Sequence, residues 1–164
     1  MLTLHLIRHA KSFRLIPNQR DFDRPLDPRG YSDASRIARE LAAVAPAPVR
    51  LVSSPAKRAW QTAAIFAEAF NLQETDIQPQ PLIYEASAGT LLALANALRD
   101  RDSCVLIIGH NPGISALAGL LSTSSVPEMP TCGIASLTFD GSRWQDLRPG
   151  DGTLLAYRYP EEDR

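Results

Sequence analysis

The chain has 164 residues, of which 45% are hydrophobic and 21% are charged. These proportions are typical of a globular protein, and the length suits a single domain, residues 1–164, with one core. Because the formal net charge is only −1, the composition argues against a nucleic-acid or membrane partner held by bulk charge attraction.

The two cysteines, Cys104 and Cys132, have no paired spacing, which argues against a disulfide framework or a zinc site. Cys104 lies in an apolar run and is interpreted as a core residue. Residues 1–7 are too short for a signal peptide and lack a basic lead. The most apolar later stretch, residues 104–121, is interrupted by polar residues and a proline, unlike a membrane span. We therefore expect a soluble, cytoplasmic protein.

In the first half of the chain, residues 2–7 form an apolar run that predicts a buried strand. Residues 8–28 are polar and rich in Arg, Asp and Pro, which predicts a long and functional loop. Helical spacing predicts a helix over residues 30–44 that Pro46 ends, and residues 49–53 predict a second strand. Ser54 and Pro55, a hydroxyl cap followed by proline, predict the start of a helix that ends near residue 70.

In the second half, two prolines limit residues 77–83 to an irregular or edge strand. Ser87 predicts the cap of a helix that extends to about residue 101. Residues 104–109 predict a buried strand, followed by a short helix over 112–121 and a polar loop over 122–130. Residues 134–139, 143–147 and 153–159 predict further strands, added antiparallel or at an edge. This alternation predicts an α/β fold, a three-layer α/β/α sandwich with a mostly parallel sheet.

Basic and polar side chains follow three of the predicted strands. Arg8 and His9 follow the first strand, Arg58 lies one turn into the helix after the second, and His110 and Asn111 follow the strand at 104–109. Ligands of parallel sheets bind outside the carboxyl ends of the strands. The sequence therefore predicts two histidines and two arginines on one rim.

These residue types suit the transfer of a phosphoryl group. Guanidinium groups donate paired hydrogen bonds to its three equatorial oxygens, and the helix N-terminus near Pro55 would add backbone donors. A neutral imidazole can act as the nucleophile and accept the phosphoryl group. We expect no metal and no other cofactor, because arginines supply the positive charge and no convincing carboxylate cluster for magnesium accompanies them.

Each residue taken singly has a plainer interpretation. An isolated histidine or arginine after a strand is usually polar surface or part of an ion pair. Of the 17 basic residues only Lys11 and Lys57 are lysines, which genome composition alone can explain. The joint pattern favours phosphate chemistry. His5 lies inside the first strand, away from the rim, and is interpreted as structural.

Taken in order, these segments resemble the histidine phosphatase superfamily, whose phosphoglycerate-mutase-like members carry Arg-His-Gly after the first strand. Here residues 6–12 read Leu-Ile-Arg-His-Ala-Lys-Ser. The chain is more closely similar to the short SixA-type phosphohistidine phosphatases. That similarity is carried by Asp-Arg-Pro-Leu at 23–26, Arg-Gly at 29–30, Ser-Ser-Pro at 53–55, Gln-Thr at 61–62 and Gly-His-Asn-Pro-Gly at 109–113. It spans roughly residues 2–140 and implies a phosphoglycerate-mutase-like fold without a large cap.

The resemblance implies a role for each matching position. His9 would accept the phosphoryl group, and Arg8, Arg58 and His110 would form the phosphate pocket around it. Arg24, on the long loop, would clamp phosphate or substrate. Asn111, beside His110, and Asp21, at a loop position that is acidic in some of this branch, complete the predicted phosphate-binding set, although Asp21 is equally well explained as a solvated charge.

Two departures from the family pattern bear on the mechanism. Ala10 stands where glycine is usual, and we expect the backbone to tolerate it unless that residue needs a positive φ. Larger members of the superfamily carry an acidic proton donor before the third helix. Glu85 is a candidate counterpart, although an acid near a helix start is equally well explained by the helix dipole.

We therefore expect a metal-independent phosphatase that forms a covalent phosphohistidine intermediate on His9. The resemblance favours a phosphorylated protein as partner and substrate, with phosphohistidine as in a phosphorelay domain. A small phosphate ester is the alternative substrate. An ester needs an acid such as Glu85 more than a phosphoramidate does, because the phosphoramidate nitrogen is readily protonated. A non-catalytic phosphate- or phosphoprotein-binding module on the same fold is a further hypothesis.

Overall fold

The structure is a computed structural model that describes residues 1–46 and 48–161. Its strands are β1 (Leu2–Arg8), β2 (Arg50–Ser53), β3 (Gln78–Pro79), β4 (Cys104–Gly109), β5 (Ile134–Phe139) and β6 (Thr153–Arg158). Its α-helices are α1 (Pro28–Val44), α2 (Lys57–Ala69), α3 (Ala88–Asn96) and α4 (Gly113–Leu121). The strands form one sheet in the order β3-β2-β4-β1-β5-β6.

The sheet is parallel on one side and antiparallel on the other. Strand β4 pairs in parallel with β1 and with β2, and β3 continues the parallel part beyond β2. Strands β5 and β6 extend the sheet antiparallel from β1. The predicted α/β fold with a mostly parallel sheet is confirmed.

The side chains of the central strand explain why there are three layers. Val105 and Ile107 belong to the apolar cluster that α3 and α4 cover, whereas Leu106 and Ile108 belong to the cluster that α1 and α2 cover. Successive side chains of a strand point to opposite faces. A strand that is apolar at every position is therefore stable only with helices on both sides.

Helix α1 is held against the loop that leaves β1. Asp27 caps the helix, because its carboxylate accepts the N–H of Gly30 at 2.8 Å and the ammonium of Lys11 at 2.7 Å. A Cβ on Gly30 would overlap the carbonyl oxygen of Lys11. The Arg-Gly pair of the sequence motif thus permits a close approach of helix and loop.

The start of α2 differs from the sequence prediction. The helix begins at Lys57 with Ala56 as its N-cap, and no side chain caps it. The Ser54 hydroxyl accepts the N–H of Ala56 at 3.2 Å and lies 2.8 Å from Nε2 of His110. The predicted cap at Ser54 is therefore wrong, because the chain makes a bend at 54–56 before the helix begins.

The predicted strand at 143–147 is also wrong. That segment contains a 3₁₀ turn, Trp144–Asp146. The Trp144 backbone N–H donates to the Asp100 carboxylate at 3.0 Å and its indole N–H donates to the Asp102 carbonyl at 2.8 Å. Asn96 donates to the Trp144 and Leu147 carbonyls at 2.8 and 3.1 Å. Helix α3 ends at Asn96 rather than near residue 101.

Other parts of the sequence prediction agree with the structure. The segment at 77–83 contains only the two-residue edge strand β3 and the 3₁₀ turn Pro81–Ile83. Ser87 caps α3 by accepting the N–H of Thr90 at 3.2 Å. Cys104 and Cys132 are buried free thiols. None of the helices in the described ranges has the length and apolar character that crossing a membrane requires.

Two glycines of α4 provide a matched test of this packing. A Cβ on Gly113 would overlap the carbonyl oxygen of Ala86, in the segment that leads into α3, whereas a Cβ on Gly119 would face open space. We expect Gly113→Ala to lower the free energy of unfolding by about 1–3 kcal/mol through overpacking. Gly119→Ala should raise it by about 0.5–1 kcal/mol through helix propensity. Urea unfolding measures both changes, and equal effects would contradict this packing.

Candidate active site

Three strand ends meet at the carboxyl edge of the parallel strands. The N–H of His9, just after β1, donates to the carbonyl of Gly109 at the end of β4, at 3.0 Å. The N–H of Ser54, just after β2, donates to the carbonyl of Ile108 at 3.1 Å. The hydrogen-bond ladder therefore continues past the strands. It brings the rings of His9 and His110 to a centroid separation of 5.2 Å.

The His9 ring is buried, with 6% of the residue exposed, and is held in one tautomer. Its Nδ1 lies 2.8 Å from the carbonyl oxygen of Ala10. A carbonyl only accepts, so Nδ1 carries the proton and Nε2 keeps its lone pair. Arg58 donates to that lone pair from Nε at 3.3 Å. A histidine acts as a nucleophile through the ring nitrogen that carries no proton, and here that nitrogen is Nε2.

Both histidines of the rim are neutral near pH 7. Burial, together with the nearby His110, Arg58 and Arg8, lowers the pKa of His9 to about 3 against the opposing effect of the bond to Ala10. Burial, with a further contribution from Arg58, lowers the pKa of His110 to about 4. Loss of solvent and neighbouring positive charge both disfavour the imidazolium form. Nε2 of His9 is therefore unprotonated over the whole physiological range.

One hydroxyl of α2 fixes the peptide that follows His9. The Ala10 N–H donates to Thr62 Oγ1 at 3.0 Å, and that hydroxyl donates to the Arg58 carbonyl at 2.8 Å. Ala10 is fully buried and does not have a positive φ. Its methyl group therefore replaces the usual glycine hydrogen without backbone strain, as expected. Thr62, in the Gln-Thr motif to which the sequence assigned no role, thus links the peptide that follows His9 to the backbone of α2 at Arg58.

Arg58 is held beside His9 by the long loop between β1 and α1. Its Nη1 donates to the backbone carbonyl of Asp21 at 2.8 Å, and its Nη2 donates to the Asp21 carboxylate at 2.9 Å. These two bonds use the outer edge of the guanidinium. The inner Nε–H is thereby directed at His9.

The Asp21 carboxylate gathers donors from three side chains. Besides Arg58, it accepts Nε of Arg24 at 2.8 Å and the hydroxyl of Tyr84 at 2.7 Å. Partial burial opposes ionisation of Asp21, but the bonds from Tyr84, Arg24 and Arg58 outweigh it and hold the pKa at about 2. Two arginines that the sequence assigns to phosphate thus hold an internal anion in this structure.

Arg8 is positioned by the loop that precedes β5. Its Nη1 donates to the carbonyl of Met129 at 3.0 Å. Asn111 donates to the same carbonyl at 2.9 Å, and the Ser115 hydroxyl donates to Oδ1 of Asn111 at 2.5 Å. The amide of Asn111, predicted to bind phosphate, is thus turned to this loop, which indicates a positioning role.

Two buried nitrogens of the site have no hydrogen-bond partner within the described ranges, Nε of Arg8 and Nδ1 of His110. Leaving a buried donor or acceptor unpaired costs about 1–3 kcal/mol. Such groups in a native structure call for an explanation, and a site completed by a ligand is one. Both belong to residues that the sequence assigns to the phosphate pocket.

Glu85 lies at the edge of this arrangement. Its side chain is exposed and its backbone φ is +58°. It follows Tyr84, whose ring packs edge-on against His110 at 5.4 Å. Burial, the bond to Asp21 and the charge of Glu85 all raise the pKa of Tyr84. No hydrogen bond recorded for the described residues joins Glu85 to His9.

Sequence reasoning missed three contributors to the site. The sequence assigns no role to Tyr84, although it adjoins Glu85. Thr62 is part of the Gln-Thr motif, to which the sequence assigns no role either. Met129 offered no signal, because it acts through its backbone carbonyl. Among the described residues, no three His, Cys, Asp or Glu side chains lie together as a metal site.

Comparisons with known proteins find a matching family and individual relatives. The family model of the histidine phosphatase superfamily (branch 1) matches residues 4–99. An uncharacterized protein of Mycobacterium tuberculosis is 34% identical over 168 residues, which cover 94% of this chain and 99% of that protein. An Arabidopsis thaliana chloroplastic protein is 30% identical over 151 residues, 87% of this chain and 69% of that protein.

Two solved structures are also similar over nearly their whole length. One, from Agrobacterium tumefaciens, is described as a phosphohistidine phosphatase SixA; it has a TM-score of 0.80 and 27% identity, and covers 98% of this chain and 99% of its own. The other, the protein histidine phosphatase SixA complexed with tungstate, has a TM-score of 0.80 and 25% identity, and covers 96% of this chain and 97% of its own.

His5 lies inside the sheet and takes no part in the rim. Its Nδ1 is 2.7 Å from the hydroxyl of Ser136, its cross-strand partner on β5. Burial, with a smaller effect of Arg158, lowers the pKa of His5 to about 4. The structural interpretation of His5 agrees with this placement.

The three low histidine pKa values predict a stability that depends on pH. Between pH about 6.5 and 4 the unfolded chain binds more protons than the folded one, so the free energy of unfolding falls as pH falls. Each group contributes up to about 1.4 kcal/mol per pH unit in that window. Urea unfolding at pH 7 and at pH 5 measures the loss. His9→Asn should give a shallower dependence, and a flat wild-type profile would contradict the buried neutral state.

Proposed function

The chain belongs to the histidine phosphatase superfamily and is a phosphatase, and we propose that it acts through a covalent phosphoryl group on Nε2 of His9. One observation carries this proposal. The His9 imidazole is neutral, gives its Nδ1 proton to the Ala10 carbonyl and keeps its Nε2 lone pair beside the Arg58 guanidinium. A nucleophile in this state needs no general base to remove a proton before attack.

In the first step, Nε2 of His9 attacks phosphorus while the bond to the leaving group breaks and the leaving group takes up a proton. Arg8, Arg58 and His110 would stabilise the charge on the equatorial oxygens. The bond from Nδ1 to the Ala10 carbonyl stabilises the positive charge that develops on the imidazole, since the carbonyl is the negative end of a dipole. In the second step, water attacks phosphorus, the phosphorus–nitrogen bond breaks and His9 returns to its neutral form.

We propose that this scheme is metal-independent, because positive charge is already built into the site. The Arg58 guanidinium contacts His9 and the charge of Arg8 also acts on it, and a phosphoryl group is recognised well by such planar, paired donors. The unpaired Nε of Arg8 supports this assignment. The tungstate named for a similar structure is a tetrahedral oxyanion, which is consistent with an oxyanion pocket in this family.

Two carboxylates are candidates for the proton donor. Glu85 is the candidate counterpart of the acid that larger family members carry before the third helix, but its side chain is exposed. Asp21 contacts Arg58 and Tyr84 within the site. An incoming phosphate would place a second negative charge near Asp21 and raise its pKa from about 2. With a raised pKa, the Asp21 carboxylate would take a proton from solvent and pass it to the leaving group, so we favour Asp21.

We propose phosphohistidine in a protein, for example a phosphorelay domain, as the substrate. Support comes from the similar structures described as phosphohistidine phosphatases. A phosphoramidate leaving group also has less need of a strong acid, which suits a site whose favoured proton donor, Asp21, is ionised until phosphate binds. A small phosphate ester remains the alternative substrate.

His9→Asn should abolish hydrolysis of p-nitrophenyl phosphate measured in the presence of a chelator, with a loss of about 10³-fold or more in kcat. Arg24→Ala should mainly raise KM, because the proposed role of Arg24, which donates to Asp21 and not to His9, is to clamp the substrate. Wild-type protein quenched during turnover should carry an acid-labile phosphoryl group that the Asn variant lacks. Substantial turnover by His9→Asn would overturn the nucleophile assignment.

The proton donor can be identified from its dependence on the leaving group. Asp21→Asn should slow hydrolysis of an alkyl phosphate, whose leaving group needs a proton, far more than hydrolysis of p-nitrophenyl phosphate. Glu85→Gln is the matched control and should affect both esters alike. The reverse pattern would assign the role to Glu85, whereas an equal loss on both esters in Asp21→Asn would restrict Asp21 to holding Arg58.

A further inference from the structure

The long loop between β1 and α1 carries an exposed apolar finger, residues 13–20. Phe13, Leu15 and Ile16 are 50%, 55% and 60% exposed. A turn closes the finger, because Gln19 donates its N–H to the Ile16 carbonyl at 3.1 Å and accepts the Ile16 N–H on Oε1 at 3.3 Å. Neighbouring large apolar side chains in an ordered, exposed segment are a mark of an interaction surface.

The finger is attached directly to the catalytic rim. The Phe13 carbonyl accepts Nη1 of Arg24 at 3.0 Å. The Phe13 N–H donates to the Pro25 carbonyl at 3.0 Å, on the returning limb of the loop. Arg24 in turn contacts Asp21, which contacts Arg58. The base of the finger is therefore three consecutive contacts away from the guanidinium beside His9.

The charge of the finger differs from that of the whole chain. Residues 13–20 contain Arg14 and Arg20 and no acidic residue, a formal charge of +2, whereas the chain as a whole carries −1. Arg20 pairs with Asp23 at 2.9 Å, while Arg14 is exposed next to Phe13. A complementary partner surface is apolar with acidic residues around it.

A further exposed apolar side chain lies outside the finger, in the segment that leads to Tyr84. Leu82 is 61% exposed and comes two residues before Tyr84. The Tyr84 ring packs edge-on against Phe22, next to the finger, at 5.2 Å. Apolar surface thus extends outward from the rim on more than one segment.

We propose that the finger is the docking surface for a histidine-phosphorylated protein, whose apolar and acidic surface packs on Phe13, Leu15 and Ile16 while its phosphoryl group reaches His9. This inference rests on the proposed phosphatase function. A small ester fits within the phosphate pocket and makes no contact with the finger. A protein substrate covers both at once, and the contacts through Arg24 fix the distance between them.

The test compares one enzyme on substrates with and without a protein surface. The double variant Leu15→Ser, Ile16→Ser is assayed on phosphorelay domains phosphorylated with phosphoramidate, on free phosphohistidine and on p-nitrophenyl phosphate. We expect kcat/KM for the proteins to fall about tenfold or more, mainly through KM, with the two small substrates unchanged. Arg14→Glu should act in the same direction. Val44→Ser, which alters a side chain 61% exposed at the far end of α1, is the matched control and should change none of the rates.

The outcomes separate this inference from the function on which it rests. If wild type hydrolyses the small substrates but none of the phosphorylated domains, docking is overturned and the phosphatase stands. An unchanged rate on the proteins, or an equal loss on all three substrates, in the double variant also overturns docking. No turnover of any substrate by wild type would remove the proposed function itself. Binding to phosphatidylserine vesicles that the double variant loses, without a change on the proteins, would assign the finger to a membrane instead.

Discussion

A single hydrogen bond, between Nδ1 of His9 and the carbonyl of Ala10, determines which ring nitrogen faces the pocket. The carbonyl cannot donate, so the proton stays on Nδ1 and the lone pair stays on Nε2. Burial and the neighbouring arginines then prevent a second proton from binding. The rest of the site serves this geometry. The ladder bond to Gly109 sets the position of His9, and Thr62 holds the peptide that supplies the acceptor.

The same arginines that keep His9 neutral need a counter-charge, and Asp21 provides it. A guanidinium is difficult to bury alone, and a buried charge is stable only when paired and hydrogen-bonded. Asp21 accepts donors from Arg58, Arg24 and Tyr84 in place of an external anion. In the proposed mechanism, a phosphoryl group would share or replace these bonds. Binding would then exchange one anion for another, which lowers the net gain from any single phosphate contact and favours substrates with additional contacts elsewhere.

The sequence predicted the rim well because the rim depends on local signals. Buried strands are recognisable as apolar runs, and the carboxyl ends of parallel strands meet. The sequence alone therefore predicts that Arg8, His9 and His110 lie on one rim. Roles fixed by long-range contacts were not predictable. Nothing in the residue type of Asn111 distinguishes an amide that binds phosphate from one that holds a loop. The turn at Trp144 was mistaken for a strand because its partners, Asp100 and Asp102, lie more than forty residues earlier.

The contact between Arg8 and Met129 has a consequence for how this site can vary. The acceptor is a backbone carbonyl, which every amino acid provides, including proline. The orientation of Arg8 thus depends on the path of residues 122–133, which the buried Met129 side chain helps to hold, and not on a side-chain acceptor. Substitutions can accumulate along that loop while the guanidinium stays in place, whereas a change in loop length would move it. In this loop, the number of residues therefore affects the position of the Arg8 guanidinium more than the side chain of the acceptor residue does.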